Sequence, residues 1–309
     1  MDIVVFTATE LPIALRALAR VHTSPRADQF RAVLADLHRD VAPPGAPLEP
    51  AIDLPEVAAA IVRPRARLRL VQLAEIVALV DGRPGRAVVR EVERLADALG
   101  VREPGLAVLR QVAAGRPRLA RILMTRRILA RVLVDAWRAD GLRGARRLLS
   151  PLLLGRGADP EVAWRYRQLG LLPAGTLGRT LWAHCTERRF GLPGEAGAMP
   201  ERLLFHDVGH LLTGFSTEPA GEIQQGAFQA GFVRRDGFAF FLFVILQFHL
   251  GIKITPVAPP DVGNFDIPRV LAAVARGAAC RDLSEHWQFW DDAARPLAEL
   301  RAAYGVAPV

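Results

Sequence analysis

The stretch Leu70-Val-Gln-Leu-Ala-Glu-Ile-Val-Ala-Leu-Val-Asp-Gly82, followed by Glu91-Val-Glu-Arg-Leu-Ala-Asp-Ala-Leu-Gly100, decides the fold class. It reads as two helices, over about 66–80 and 86–99, with Gly82 and Gly85 marking the turn between them and Gly100 closing the second. Working outward, Thr9 to His22 reads as a helix with Leu11, Leu15, Leu18 and Val21 near helical spacing. Arg26 to Asp40 reads as another, with Phe30, Val33, Leu34 and Leu37 on one face. Further helices are expected at about 54–62 and 104–113. Ala42 to Pro50 is proline-rich and reads as a loop, because proline lacks a backbone donor and blocks helix. Almost nothing alternates with a period of two. The chain reads as all-α, and 309 residues predict two helical domains.

With 51% hydrophobic residues the chain has ample material for a core, which excludes a largely disordered protein. Two cysteines, Cys185 and Cys280, cannot build a disulfide framework or a cysteine-rich zinc module. The opening Met-Asp-Ile-Val-Val-Phe lacks the basic and long apolar regions of a secretory signal, so a reducing, cytoplasmic setting is expected. The net charge of +8 is uneven: Arg116 to Arg156 holds eleven arginines against Asp135 and Asp140, so the rest of the chain is close to neutral. The basic character belongs to one segment, and no nucleic-acid partner is expected.

In that segment Leu119, Ile122, Leu123, Leu129 and Leu133 can form an apolar stripe, with Arg127, Arg131 and Arg138 elsewhere on the wheel. Arg146-Arg147 and the leucine cluster Leu148 to Leu154 follow. Such a helix either lies on an anionic membrane surface or packs between domains with its arginines in water. The run Gly237 to Leu250 is uncharged but shorter than the roughly 20 residues a span requires. It reads as a buried helix or as the wall of an apolar cavity, continuous with the helix that carries Glu222.

Chemistry concentrates in Phe205-His206-Asp207-Val208-Gly209-His210-Leu-Leu-Thr213-Gly214. On a helix, His206 and His210 lie about 40° apart and Asp207 neighbours His210 at i,i+3. Two imidazoles and a carboxylate then share about one turn, the logic of chelation by i,i+4 histidines. Gly214 ends the helix, and Pro219 opens the next with Ser216 or Thr217 as N-cap. A helical hairpin brings Glu222 back against the histidines. His206, Asp207, His210 and Glu222 are therefore the expected metal ligands, for zinc or for iron(II). Gln225 and Gln229, on about the same face as Glu222, are candidate contacts to substrate.

His206-Asp207-x-x-His210 followed by eleven residues and Glu222 resembles the signature of the coenzyme Q biosynthesis protein 4 family. Leu171-Leu-Pro-Ala-Gly-Thr-Leu-Gly-Arg-Thr-Leu-Trp182 and Arg295-Pro-Leu-Ala-Glu-Leu-Arg-Ala-Ala-Tyr-Gly305 extend the similarity over about 160–305, although Val208 and Gly209 replace the bulkier residues of the family motif. The resemblance implies an all-helical fold, a divalent metal held by the motif, and removal of the ring C1 carboxyl of a prenylated ubiquinone precursor with hydroxylation there. The activity this resemblance implies is that of a metal-dependent oxidative decarboxylase. It also implies a prenylated aromatic or isoprenoid lipid as partner, with Phe238 and Phe241 against its tail, and a homodimer or a quinone-biosynthesis complex peripheral to the inner face of a membrane. Residues 66–105 resemble the TerB-like helical domains, whose Asp-Gly turn and following acids are sometimes linked to metal. Asp81, Glu91 and Glu93 read equally as a turn and a solvated face. The expected organisation is a TerB-like domain at 1–115, basic connecting helices at 116–158 and a metal-binding domain at 159–309.

Two other readings use the same residues. Leu203 to His210 also resembles the His-Asp core of HD-type phosphohydrolases, which need an upstream histidine, here His184, and a later aspartate, Asp236 or Asp261. Alternatively the metal staples two helices of a non-catalytic isoprenoid-binding scaffold. His249, His286 and both cysteines read as structural.

Overall fold

The computed structural model describes residues 1–40, 52–154, 158–255 and 258–307, with side chains omitted at 131, 135, 139–140 and 144–154. The proline-rich loop expected at 42–50 and the side chains of the leucine cluster at 148–154 therefore lie outside the described residues. Those residues are helical, with two isolated β-bridges, Thr176 with Pro296 and Leu250 with Val262, and no strand. In chain order the helices are α1 (Glu10–Val21), α2 (Pro25–Asp36), α3 (Leu54–Ala60), α4 (Pro64–Val77), α5 (Arg86–Leu99), α6 (Gly105–Ala113), α7 (Pro117–Leu154) and α8 (Pro160–Gln168). There follow α9 (Leu177–Arg188), α10 (Phe205–Thr213), α11 (Pro219–Phe232), α12 (Gly237–Phe248), α13 (Ile267–Ala279), α14 (Phe289–Asp292) and α15 (Leu297–Ala303).

Local signals set several boundaries. Ser24 accepts from the Ala27 N–H ahead of Pro25 at the first position of α2, and Asp159 does the same for Val162 ahead of Pro160 in α8. Gly100 closes α5 in the left-handed region. α7 is interrupted at Gly141, whose φ of 58° and ψ of −139° leave the helical region.

The chain divides into two compact units, and both are discontinuous: Met1–Arg127 with Thr217–Ala278, and Ile128–Ser216 with Ala279–Val309. These boundaries differ from the consecutive segments expected at 115 and 158. In the first unit the N-terminal helices and α11 to α13 share one core. The His249 ring reaches the Leu79 carbonyl at 3.0 Å and Arg26 donates to the Phe265 carbonyl at 2.6 Å. Helices α11 and α12 pack over their whole length, and a Cβ on Gly226 would lie 2.5 Å from Val244. Gly231 and Gly277 let α11 and α13 touch backbone to backbone; a Cβ on Gly277 would collide with the Phe228 carbonyl.

The same unit buries a charged network that composition does not reveal. Arg127, expected on the polar side of the wheel, has a side chain only 9% exposed. It pairs with Glu103 at 2.7 Å and takes Asp236 with two N–H groups, at 3.0 and 2.5 Å. Gln72 donates to the other Glu103 oxygen at 2.9 Å. Glu75 is completely buried and neither of its oxygens has a hydrogen-bond partner among the described residues. Burial, reinforced by Glu103, holds its carboxyl well above the ordinary range. Among the acids of residues 66–105, Asp81 meets His22 at 2.7 Å, Glu91 meets Arg94 at 2.5 Å and Arg20 at 3.2 Å, and Glu93 meets Arg110.

In the second unit α10 packs against α9 and α15. Asp292 organises the C-terminal part: it accepts from Trp287 at 3.0 Å, from Arg295 at 2.7 Å and from Tyr304. On α7, Leu119 and Ile122, expected in an apolar stripe, are about half exposed, as are Val134 and Trp137. Among the described residues, no helix is long and apolar enough to cross a membrane.

Candidate metal centre

The site is assembled on a hairpin of two consecutive helices. α10 ends where Gly214 enters the left-handed region at φ 77°, its N–H returning to the His210 carbonyl at 2.8 Å. Thr213 donates its hydroxyl to the Gly209 carbonyl at 2.7 Å. The next two carbonyls of the last turn are met by Arg301 of α15, whose Nη2 donates to Leu211 at 2.9 Å and Nε to Leu212 at 2.8 Å. After a short connection Pro219 opens α11. Its N-cap is Glu218, which makes no side-chain cap, rather than the expected Ser216 or Thr217. Glu222 lies in the first turn.

This hairpin brings together His206, His210 and Glu222. One ligand atom from each lies within 4.8 Å of the other two. His206 is 9% exposed and His210 3%, while Glu222 is partly open to solvent. The two imidazoles stand edge to face, 88° apart, with centroids separated by 5.0 Å. With metal–nitrogen bonds of about 2.0–2.1 Å, two imidazoles on one tetrahedral ion have centroids about 5 Å apart. The ring placement therefore fits a shared ion. The tautomer fits as well: His210 Nδ1 lies 3.0 Å from the Phe215 carbonyl. A carbonyl only accepts, so Nδ1 carries the proton, the tautomer in which Nε2 bears the lone pair that a metal takes. Two neutral imidazoles and a carboxylate suit zinc and also iron(II).

Asp207, the fourth expected ligand, is not part of this cluster. The ligand atoms that converge are those of His206, His210 and Glu222, although Asp207 neighbours His210 at i,i+3. Its charge acts instead on Cys185 of α9, where burial first and Asp207 second push the thiol up to about 12. Cys185 is therefore a protonated thiol at neutral pH, in keeping with a structural role. Gln225 and Gln229 follow Glu222 on α11 and are 0% and 6% exposed.

Phe238 and Phe241 do not lie on the helix of Glu222. α11 ends at Phe232, the chain turns through Val233 to Asp236, and Asp236 sits in the left-handed region at φ 50° before α12 begins. Three consecutive charged residues, Arg234, Arg235 and Asp236, occupy that turn. Phe238 is 1% exposed beneath the Arg127 guanidinium, and Phe241 is 0% exposed beside Phe265. These are core positions with no free surface for an isoprenoid tail.

His184, buried on α9, brings its ring to 6.4 Å from His210, whereas Asp236 is engaged by Arg127. Arg301 was not distinguishable in the sequence from any other exposed-helix arginine; only the return of α15 onto α10 gives it a role. No family model, curated protein or solved structure matches the chain, so the family resemblance rests on the motif residues quoted for it.

Proposed function

We propose that the chain holds a divalent metal through His206, His210 and Glu222 and acts in quinone biosynthesis on a prenylated aromatic acid, removing the ring C1 carboxyl with hydroxylation at that carbon. The observation that carries this reading is the convergence of the three ligand atoms, at the sequence spacing of the motif. When bound, a divalent ion supplies Lewis acidity that stabilises negative charge on a carboxylate or phenolate oxygen. The chain's own part is to hold the site. The Phe215 carbonyl fixes the His210 tautomer, Glu222 offsets one unit of positive charge, and Arg301 and Gly214 anchor the end of α10. Gln225 and Gln229 lie along the helix from Glu222. Zinc has no redox chemistry, so the hydroxylation would call for iron(II), dioxygen and an external two-electron reductant that takes the second oxygen atom to water, and the same ligand set suits iron(II). Phe238 and Phe241 belong to the core and are no part of the reading.

The same proposal places the protein at an anionic membrane surface. Its support is α7, where Leu119 and Ile122, then Val134 and Trp137, stand in solvent among Arg118, Arg121, Arg126 and Arg138. The phosphohydrolase reading has its upstream histidine in His184 but loses Asp236 to Arg127.

The test is a decarboxylation assay on prenylated hydroxybenzoates under air with iron- or zinc-loaded protein, paired with mass spectrometry of lipid extracted from it. Release of carbon dioxide that His206→Ala abolishes supports the enzyme. Isoprenoid recovered without turnover supports the scaffold, and phosphate-ester hydrolysis with no isoprenoid overturns the reading.

A further inference from the structure

We propose that His184 is the residue that receives the small anionic ligand taken up by a metal at His206, His210 and Glu222; the inference rests on that metal reading. The inward face of α9 is Leu177, Gly178, Leu181, His184 and Cys185. The Cys185 thiol is kept protonated by burial, which leaves the imidazole as the polar group on an otherwise apolar face. Its ring, 8% exposed, lies between two neighbours: Phe190 at 6.0 Å and 59°, and His210 at 6.4 Å and 26°.

The His210 separation decides what His184 can do. Given metal–nitrogen bonds of about 2.0–2.1 Å, two imidazoles on one ion reach a centroid separation of about 6.3 Å only when they stand opposite each other, and about 5 Å in a tetrahedral site. His206 satisfies the tetrahedral value against His210, whereas His184 does not and is not among the three groups whose ligand atoms converge. His184 therefore stands one hydrogen bond outside the ligand shell, where it can meet a group already on the metal.

Charge selects the class of that group. Two neutral imidazoles and one carboxylate leave a divalent ion with a residual unit of positive charge. Three protein ligands also leave a tetrahedral position open. An oxygen monoanion, such as a carboxylate, phenolate or hydroxide, neutralises that charge, and an imidazole N–H is a suitable donor to its second oxygen or lone pair.

The experiment uses the full-length chain loaded with cobalt(II) and titrated with acetate, the visible absorption of the metal reporting both steps. In the wild type acetate shifts the bands saturably. His184→Ala is expected to weaken acetate about tenfold, the worth of one hydrogen bond to a charged group. Its cobalt affinity falls far less than that of His206→Ala, because His184 is not a ligand. His184→Gln, which restores a donor, recovers most of the acetate affinity and shows that folding is not the cause. Unchanged acetate affinity in His184→Ala overturns the proposal. So does a cobalt affinity that falls as far as in His206→Ala, which would make His184 a ligand. A wild type that takes up no cobalt removes the metal reading itself, and is told apart by the absence of bands before acetate is added.

Discussion

The imidazole rings of His206 and His210 stand 5.0 Å apart and nearly perpendicular, one turn apart on α10. A single helical turn thus presents two nitrogen donors at the spacing one ion requires, and the hairpin to α11 adds the Glu222 carboxylate. What holds that turn is equally specific. His210 is fixed through Nδ1 by the Phe215 carbonyl, and the end of the helix is fixed by Arg301.

Arg301→Met should therefore loosen the site without touching it. The substitution removes two charge-assisted hydrogen bonds from the last carbonyls of α10 but keeps much of the side-chain bulk. Chemical denaturation is expected to show a loss of about 2–3 kcal/mol, discounted from two full bonds because water reaches part of the vacated space. An unchanged midpoint would show that α15 does not anchor α10.

Glu75 gives stability a pH dependence. In the folded state its carboxyl is held well above the 4.5 of a free glutamate, while in the unfolded chain it ionises near that value. The unfolded state therefore binds fewer protons at every pH between the two values, and stability falls as pH rises from about 4.5 toward the folded-state value. Glu75→Gln removes the ionisation while leaving a similar shape. The variant should gain on the wild type progressively as pH is raised from 5 to 8 in parallel urea titrations. A constant difference across that range would mean that Glu75 is already ionised in the fold.

Much of this architecture was legible from the sequence, and the exceptions share a cause. Helical periodicity marks α5 to its last residue because Gly100 is a local signal, and the spacing from His206 to Glu222 survives because Gly214 ends one helix of the hairpin and Pro219 opens the next. The break between α11 and α12 was missed. Thirty residues of mostly apolar sequence look continuous, and only the left-handed Asp236, pinned by Arg127 from over a hundred residues away, interrupts them. Arg127 itself, the burial of Glu75 and the reach of Arg301 are long-range relationships that no window of neighbouring residues contains. Asp207 neighbours His210 at i,i+3 on the helix, and that spacing does not carry it into the cluster of His206, His210 and Glu222.

The arginine-rich helix leads to a test with vesicles. Co-sedimentation is expected to require anionic lipid and to weaken as salt rises from about 0.05 to 0.5 M, because exposed charges are screened over a shortening distance. Replacing Leu119 and Ile122, both exposed, by serine should reduce binding with little cost to the fold. Binding indifferent to lipid charge and salt would leave α7 as a packing helix.

The central claim is the metal, and its most direct test is elemental analysis of protein purified without a histidine tag. The account predicts about one divalent ion per chain in the wild type, and its loss in the His206→Ala, Glu222→Ala double variant with the helical circular dichroism retained. A double variant that keeps the wild-type metal content, or a wild type that carries none after equilibration with zinc and iron(II), would contradict it.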